Sequence, residues 1–305
     1  MFATAAGTSV RVIGQVRFPA ADPDACDTPA VDTDDGEAVP PAIVPLWGLY
    51  REGDNVPFAS FAAYESLPAS DAIALLSGED NTGNMLWRGG GVLASMIAAD
   101  PAGLLWGCDT PRPTCVIELG CGAASVSCAA AAALRATPGN HLVLATDANP
   151  DCVALSTENL RRNTSHTAVN TAAGTYDWGA PAPSQVATWL RSQADNSDAL
   201  VVHVFAGDVV YAPEAVPLVC TALEQITECV RDFAGARDIT IRFTALLYAR
   251  TWTLDEAAAL ATDLQHRLVN AGWSVDSNPV AACTVPHDSG KAPGRMIRIH
   301  RPANT

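Results

Sequence analysis

The segment VIELGCGAAS, residues 116–125, places an acid and two glycines within five positions, and HLVLATDANP, residues 141–150, carries a second acid at the end of an apolar run. Gly120 and Gly122 follow one apolar run and precede an Ala-rich one. Without Cβ atoms the main chain approaches a ligand closely and takes φ values that other residues resist. The pair therefore fits either a nucleotide-type cofactor laid on bare backbone or a strand-to-helix turn that is only tightly packed. Asp147 offers two carboxylate oxygens to a pair of ribose hydroxyls. It fits equally as the cap of a helix that starts at Pro150, a role open also to Asn149. Glu118 is the unusual member, because an acid inside an apolar strand end is costly unless partnered. A cofactor with an ammonium group, rather than a pyrophosphate, accounts for it. The third glycine of a dinucleotide turn is missing, with Ala124 and Ser125 in its place, so an NAD-dependent oxidoreductase is the weaker alternative.

These residues need elements to hold them. TCVIEL (114–119), HLVLAT (141–146), residues 167–176, LVVHVFAGD (200–208) and DITIRFTALLY (238–248) read as strands, the first of them a buried parallel type. Between them lie helical patterns at 123–135, 150–162, a stretch ending near Val230, and 254–271. Another at 87–100 carries the apolar stripe Val92, Leu93, Met96 and Ile97. Such alternation predicts an α/β fold, a doubly wound parallel sheet with helices on both faces. Residues 273–285 and 295–300 have no helix between them and predict a closing antiparallel pair. Trp252 and Trp273 read as packing residues.

Residues 1–80 read as an accessory region: a strand at 8–18, a Pro/Asp-rich linker at 19–41, and a helical tendency over 58–77 interrupted by Pro68. The second unit spans 81–305. Acidic residues outnumber basic ones 33 to 18, a net charge of −15, which argues against a nucleic-acid partner and fits either a basic protein segment as partner or a surplus that merely keeps an Ala-rich protein soluble. Only one residue, Lys291, is a lysine. Nine scattered cysteines without zinc-ligand spacing suggest reduced, buried thiols, and no metal site is expected. No signal peptide or membrane-length apolar run is present, so a cytoplasmic protein without a membrane partner is expected.

ELGCG, ATDAN, FAGDVVY and the closing hairpin together resemble the seven-β-strand S-adenosylmethionine-dependent methyltransferases. TGNMLWRGGGVLASMI, the YDWG at 176–179 and the GDVVY at 207–211 resemble, more narrowly, the methyltransferase-like protein lysine methyltransferases. That branch shows a Trp before its first helix, an E-x-G-x-G turn, a Trp-Gly after the third strand and an Asp-x-x-Tyr after the fourth. The resemblance covers residues 81–300. It implies S-adenosylmethionine as cofactor, with Glu118 at the turn, Gly120 and Gly122 beside its methionine part, and Asp147 on its ribose. Trp178 would pack near the adenine, Trp87 would line the pocket, and Gly207 would lie beneath the cofactor where relatives often have Ala. Asp208 and Tyr211 would form the catalytic element at the substrate mouth. Ala124, Arg88 and Gly89 depart from the family pattern. The activity implied is N-methylation of lysine in a non-histone protein. The alternatives are a small-molecule or other-residue methyltransferase, and a non-catalytic cofactor-binding subunit.

Overall fold

The computed structural model describes residues 2–3, 8–17, 43–63, 87–106, 111–164, 169–193, 199–234, 238–247, 254–275 and 295–302. The chain opens with strands β1 (Phe2–Ala3), β2 (Thr8–Arg17), β3 (Ile43–Arg51) and β4 (Ala59–Ala62), which form an antiparallel sheet in chain order. Helix α1 (Arg88–Ala99) and a π-helical turn (Ala102–Trp106) lead into β5 (Thr114–Leu119), α2 (Ser125–Leu134), β6 (His141–Asp147), α3 (Pro150–Thr164) and β7 (Val169–Thr175). There follow α4 (Ser184–Ser192), β8 (Ala199–Gly207), α5 (Ala215–Ala234), β9 (Asp238–Leu247), α6 (Leu254–Asn270), β10 (Ser274–Val275) and β11 (Arg295–Pro302).

Seven of these strands form one sheet in the order β10-β11-β9-β8-β5-β6-β7. β9, β8, β5, β6 and β7 run parallel, while β11 pairs antiparallel with β9 and with β10. The expected doubly wound sheet and closing antiparallel pair are thus present, though of the predicted first member, 273–285, residues 276–285 lie outside the described residues. β5 lies between β6 and β8, so chain order reverses there. A crevice at such a switch point, beyond the carboxyl ends of the strands, is where open α/β sheets hold ligands.

Two apolar layers flank the sheet. One packs β5, β8 and β9 side chains such as Ile117, Val202, Val204 and Phe243 against α5 and α6, and includes Trp273. The other joins α1, α2 and α3 to the N-terminal sheet: Trp47, Leu49, Phe58 and Phe61 share a core with Leu93, Ile97 and Ala129. Every residue of α2 is buried, which explains its composition. A helix enclosed on all sides packs closely only with small side chains, and Ala also has the best helix propensity. Arg51 joins the two parts, its Nε donating to the Ala98 carbonyl at 2.7 Å at the end of α1.

One local expectation is corrected. Of the predicted helical stretch 58–77, residues 59–62 form strand β4, and 64–77 lie outside the described residues. Ala-rich composition favours helix, but tertiary partners override so weak a preference. Leu46–Leu49 pair with one edge of β4. Its other edge is met by two amides of α3. The Ala62 N–H donates to Asn159 Oδ1 (2.7 Å) and Asn159 Nδ2 donates to the Ala62 carbonyl (2.9 Å). Ser60 and Asn163 repeat the pattern at 3.0 and 2.6 Å. Four helical residues rise about 6 Å and two strand residues about 6.8 Å. The spacing matches, so α3 covers an edge that would otherwise present unpaired backbone.

Six cysteines among the described residues are free, and Cys115, Cys121, Cys128 and Cys152 are buried. No helix among the described residues is long and apolar enough to cross a membrane.

Candidate active site

The turn after β5 is built around left-handed backbone. Gly120, Gly122 and Ala124 have φ of 58°, 50° and 55°. For Gly this is free of steric cost; for Ala124 it costs roughly 1–2 kcal/mol. A Cβ on Gly120 would lie 2.7 Å from Val209 Cγ1 and 3.4 Å from Trp178 Cζ2. The glycine is therefore the floor on which a residue after β8 and a residue after β7 converge.

Asp147, at the end of β6, holds the turn from the side. Its Oδ2 accepts the Gly122 N–H and its Oδ1 the Asn149 N–H, each at 2.9 Å. The two sequence roles of this region divide between neighbours: Asn149 Oδ1 accepts the Asp151 N–H at the start of α3, while Asp147 faces the glycines. Tyr176 donates its N–H to the Asp147 carbonyl at 2.9 Å. Beyond it, the Asp177 side chain accepts the Gly179 N–H at 3.0 Å in a tight turn that presents Trp178.

Glu118 lies beneath the turn, 3% exposed. Its Oε2 accepts the Ser127 N–H at 2.8 Å, so the acid meets the first amides of α2. That placement supplies the partner that a buried carboxylate needs, with the positive end of a helix dipole behind it. Burial nonetheless pushes its pKa up to about 7, against the lowering effect of the Ser127 and Val126 amides. The unfolded chain releases this proton near 4.5, so between those values the folded state binds the extra proton. Stability then falls as pH rises through that window, by about 3 kcal/mol in all. Glu118→Gln is expected to abolish this slope. The check is denaturant unfolding of parent and variant from pH 4.5 to 7.5; a pH-independent difference between them would show that Glu118 stays ionised.

The other wall is the end of β8. A Cβ on Gly207 would lie 2.7 Å from the Gly90 backbone nitrogen, so two main chains abut here. Asp208 has φ 58° and accepts the Gly89 N–H at the start of α1. A Cβ on Gly89 would meet the Asp208 carboxylate at 2.7 Å, and one on Gly90 would meet Ser125 Oγ at 2.9 Å. Gly89 and Gly90 were missed by sequence reasoning, which took Gly89 only as a departure from the family pattern. The available signal was a run of three glycines opening a helix, where bare backbone has no helical advantage. Trp87 precedes this run, half-buried, and its carbonyl accepts the Gly91 N–H at 3.1 Å. Tyr211 is 61% exposed, three residues beyond Asp208.

Gly120 thus meets Val209 and Trp178, Gly122 is held by Asp147, and Gly207 and Asp208 meet Gly90 and Gly89, all beyond the carboxyl ends of strands around the sheet's switch point, with Glu118 buried at the end of β5 and Tyr211 exposed after β8. The sequence model of the lysine methyltransferase family matches residues 72–234, more than half of the chain. The chain belongs to the lysine methyltransferase family.

As a member of that family it is an S-adenosylmethionine-dependent methyltransferase. No curated protein matches the chain by sequence. Among similar solved structures are the Synechocystis magnesium protoporphyrin IX methyltransferase with bound S-adenosylhomocysteine (15% identity, TM-score 0.33, covering 68% of this chain and 80% of that one). A human methyltransferase 10 domain containing protein shows 10% identity and a TM-score of 0.36, over 69% and 82% of the two chains. A Podospora anserina methyltransferase, also bound to S-adenosylhomocysteine, shows 14% and 0.33, over 76% and 88%. Likeness at this level adds nothing to the family assignment. For this lysine methyltransferase family member the residues around the turn fit the cofactor by type: glycine main chain at Gly120 and Gly122, a carboxylate beside it and an indole against Gly120.

Proposed function

We propose that the protein methylates lysine side chains within a basic segment of another protein. The observation that carries this reading is Asp208, an acid held at the end of β8 beside the crevice by the Gly89 amide. When bound, S-adenosylmethionine supplies the methyl as a sulfonium, the S–C electrons staying with sulfur as an acceptor nitrogen's lone pair forms the new bond. The chain's own part is positioning. Gly120 and Gly122 would give bare main chain to the amino-acid moiety, Asp147 would hold the sugar, and Trp178 would offer a ring face to the base. Asp208 attracts a lysine ammonium by charge, and the exposed Tyr211 ring favours the same cation. The ammonium must lose a proton before it is a nucleophile, to water or to a nearby base such as Asp208. The family's name and the net charge of −15 support a basic acceptor.

The test incubates the protein with methyl-labelled cofactor and cell extract. A labelled protein band whose label maps to lysine is the expected result. Label in metabolites, or cofactor binding with no transfer, would overturn it. Because the chain's one lysine is Lys291, self-labelling on lysine is confined to one peptide and easily subtracted.

A further inference from the structure

Asn159 stands apart from its neighbour Asn163. Both amides pair with the edge of β4, but Asn159 Nδ2 also donates to the Ala123 carbonyl at 2.9 Å. Ala123 belongs to the turn that carries Gly120 and Gly122. The Asn159 side chain is fully buried, and its two N–H donors have one carbonyl each, Ala62 on the N-terminal sheet and Ala123 on the turn. Three positions earlier on α3, Ser156 Oγ lies 2.8 Å from the Gly122 carbonyl and 2.7 Å from the Cys152 carbonyl, its one hydrogen shared between them. One face of α3 therefore meets successive carbonyls of the turn, with Ala123 the one held by a dedicated donor, and the same face grips β4.

From this we infer that Asn159 is a positioning residue for the cofactor, through which the N-terminal sheet sets the place of the glycine turn. The inference rests on the turn being the cofactor floor. A planar amide with both hydrogens engaged cannot rotate to follow one partner without releasing the other. Shifts of β4 are thus passed to Ala123, and a turn held in place loses less freedom when a ligand settles on it. Asn163 supplies the internal control, since it holds β4 in the same way but no bond joins it to the turn.

The experiment measures S-adenosylhomocysteine binding by calorimetry, together with melting temperature, for the parent, Asn159→Ala and Asn163→Ala. Both variants are expected to melt earlier. Only Asn159→Ala should bind the ligand more weakly, by about tenfold, the equivalent of one lost buried hydrogen bond. Equal affinity losses, or no loss at Asn159, would overturn the inference. Absence of binding by the folded parent would instead sink the cofactor reading itself. Should Asn159→Ala fail to fold, amide hydrogen exchange on the unaltered protein decides. Ligand-induced protection of residues 59–62 alongside 120–124 supports the coupling, and protection confined to 120–124 overturns it.

Discussion

Asp208→Asn is expected to fold and to bind cofactor as the parent does, yet to transfer methyl groups about a hundredfold more slowly. The choice of asparagine separates two jobs of one side chain. Asp208 accepts the Gly89 N–H, and loss of such an acceptor at a helix start costs about 1 kcal/mol. The amide oxygen of Asn keeps that bond. Asn also tolerates the φ of 58° better than any residue but Gly. What it removes is the negative charge that, on the proposed reading, attracts a lysine ammonium. Asp208→Ala loses both jobs and carries in addition the left-handed strain, so its melting temperature falls as well. Single-turnover kinetics with a basic peptide, beside calorimetry, give the two readouts. Parent-like turnover by the asparagine variant would assign Asp208 to helix capping alone.

Gly120→Ala is expected to weaken cofactor binding at least about tenfold. Left-handed backbone at an Ala costs roughly 1–2 kcal/mol, and tenfold in affinity corresponds to about 1.4 kcal/mol. The new methyl would also press on Val209 Cγ1 at 2.7 Å. Val209 is buried, and a β-branched side chain has few rotamers to escape into. Relief requires either the turn or the segment after β8 to move, and both border the crevice. Calorimetry with S-adenosylhomocysteine measures the loss; unchanged affinity would show that the ligand rests elsewhere.

Much of this arrangement was readable from residue types because the requirements are local. Glycines at a strand end, an acid closing the next strand and apolar runs such as TCVIEL each report a need that few other residues satisfy. The strands of the large sheet were located on that ground, and Gly120, Gly122 and Asp147 were found together. Tertiary requirements were not readable. Gly89 is demanded by Asp208, 119 residues away, and Ser60 sits in a strand paired with β3 whose other edge Asn163 meets from 103 residues away. Polar residues at helical spacing, as in ENLRRN, usually mark a solvated face. Here two of them face inward and act as surrogate strand backbone. Glu118 shows the same limit: its type suggested a ligand's ammonium, whereas its position gives it the amides of α2.

The shared core of the N-terminal sheet and α1 to α3 bears on how the protein can be dissected. The family match begins at residue 72, but Trp47, Leu49 and Phe61 come earlier and are no more than 1% exposed. A fragment trimmed to the family boundary would leave Leu93, Ile97 and the alanines of α2 bare to water on one flank. The smallest independently expressible unit therefore starts upstream of the recognisable enzyme, and strands β3 and β4 behave as its outer wall rather than as a detachable appendage.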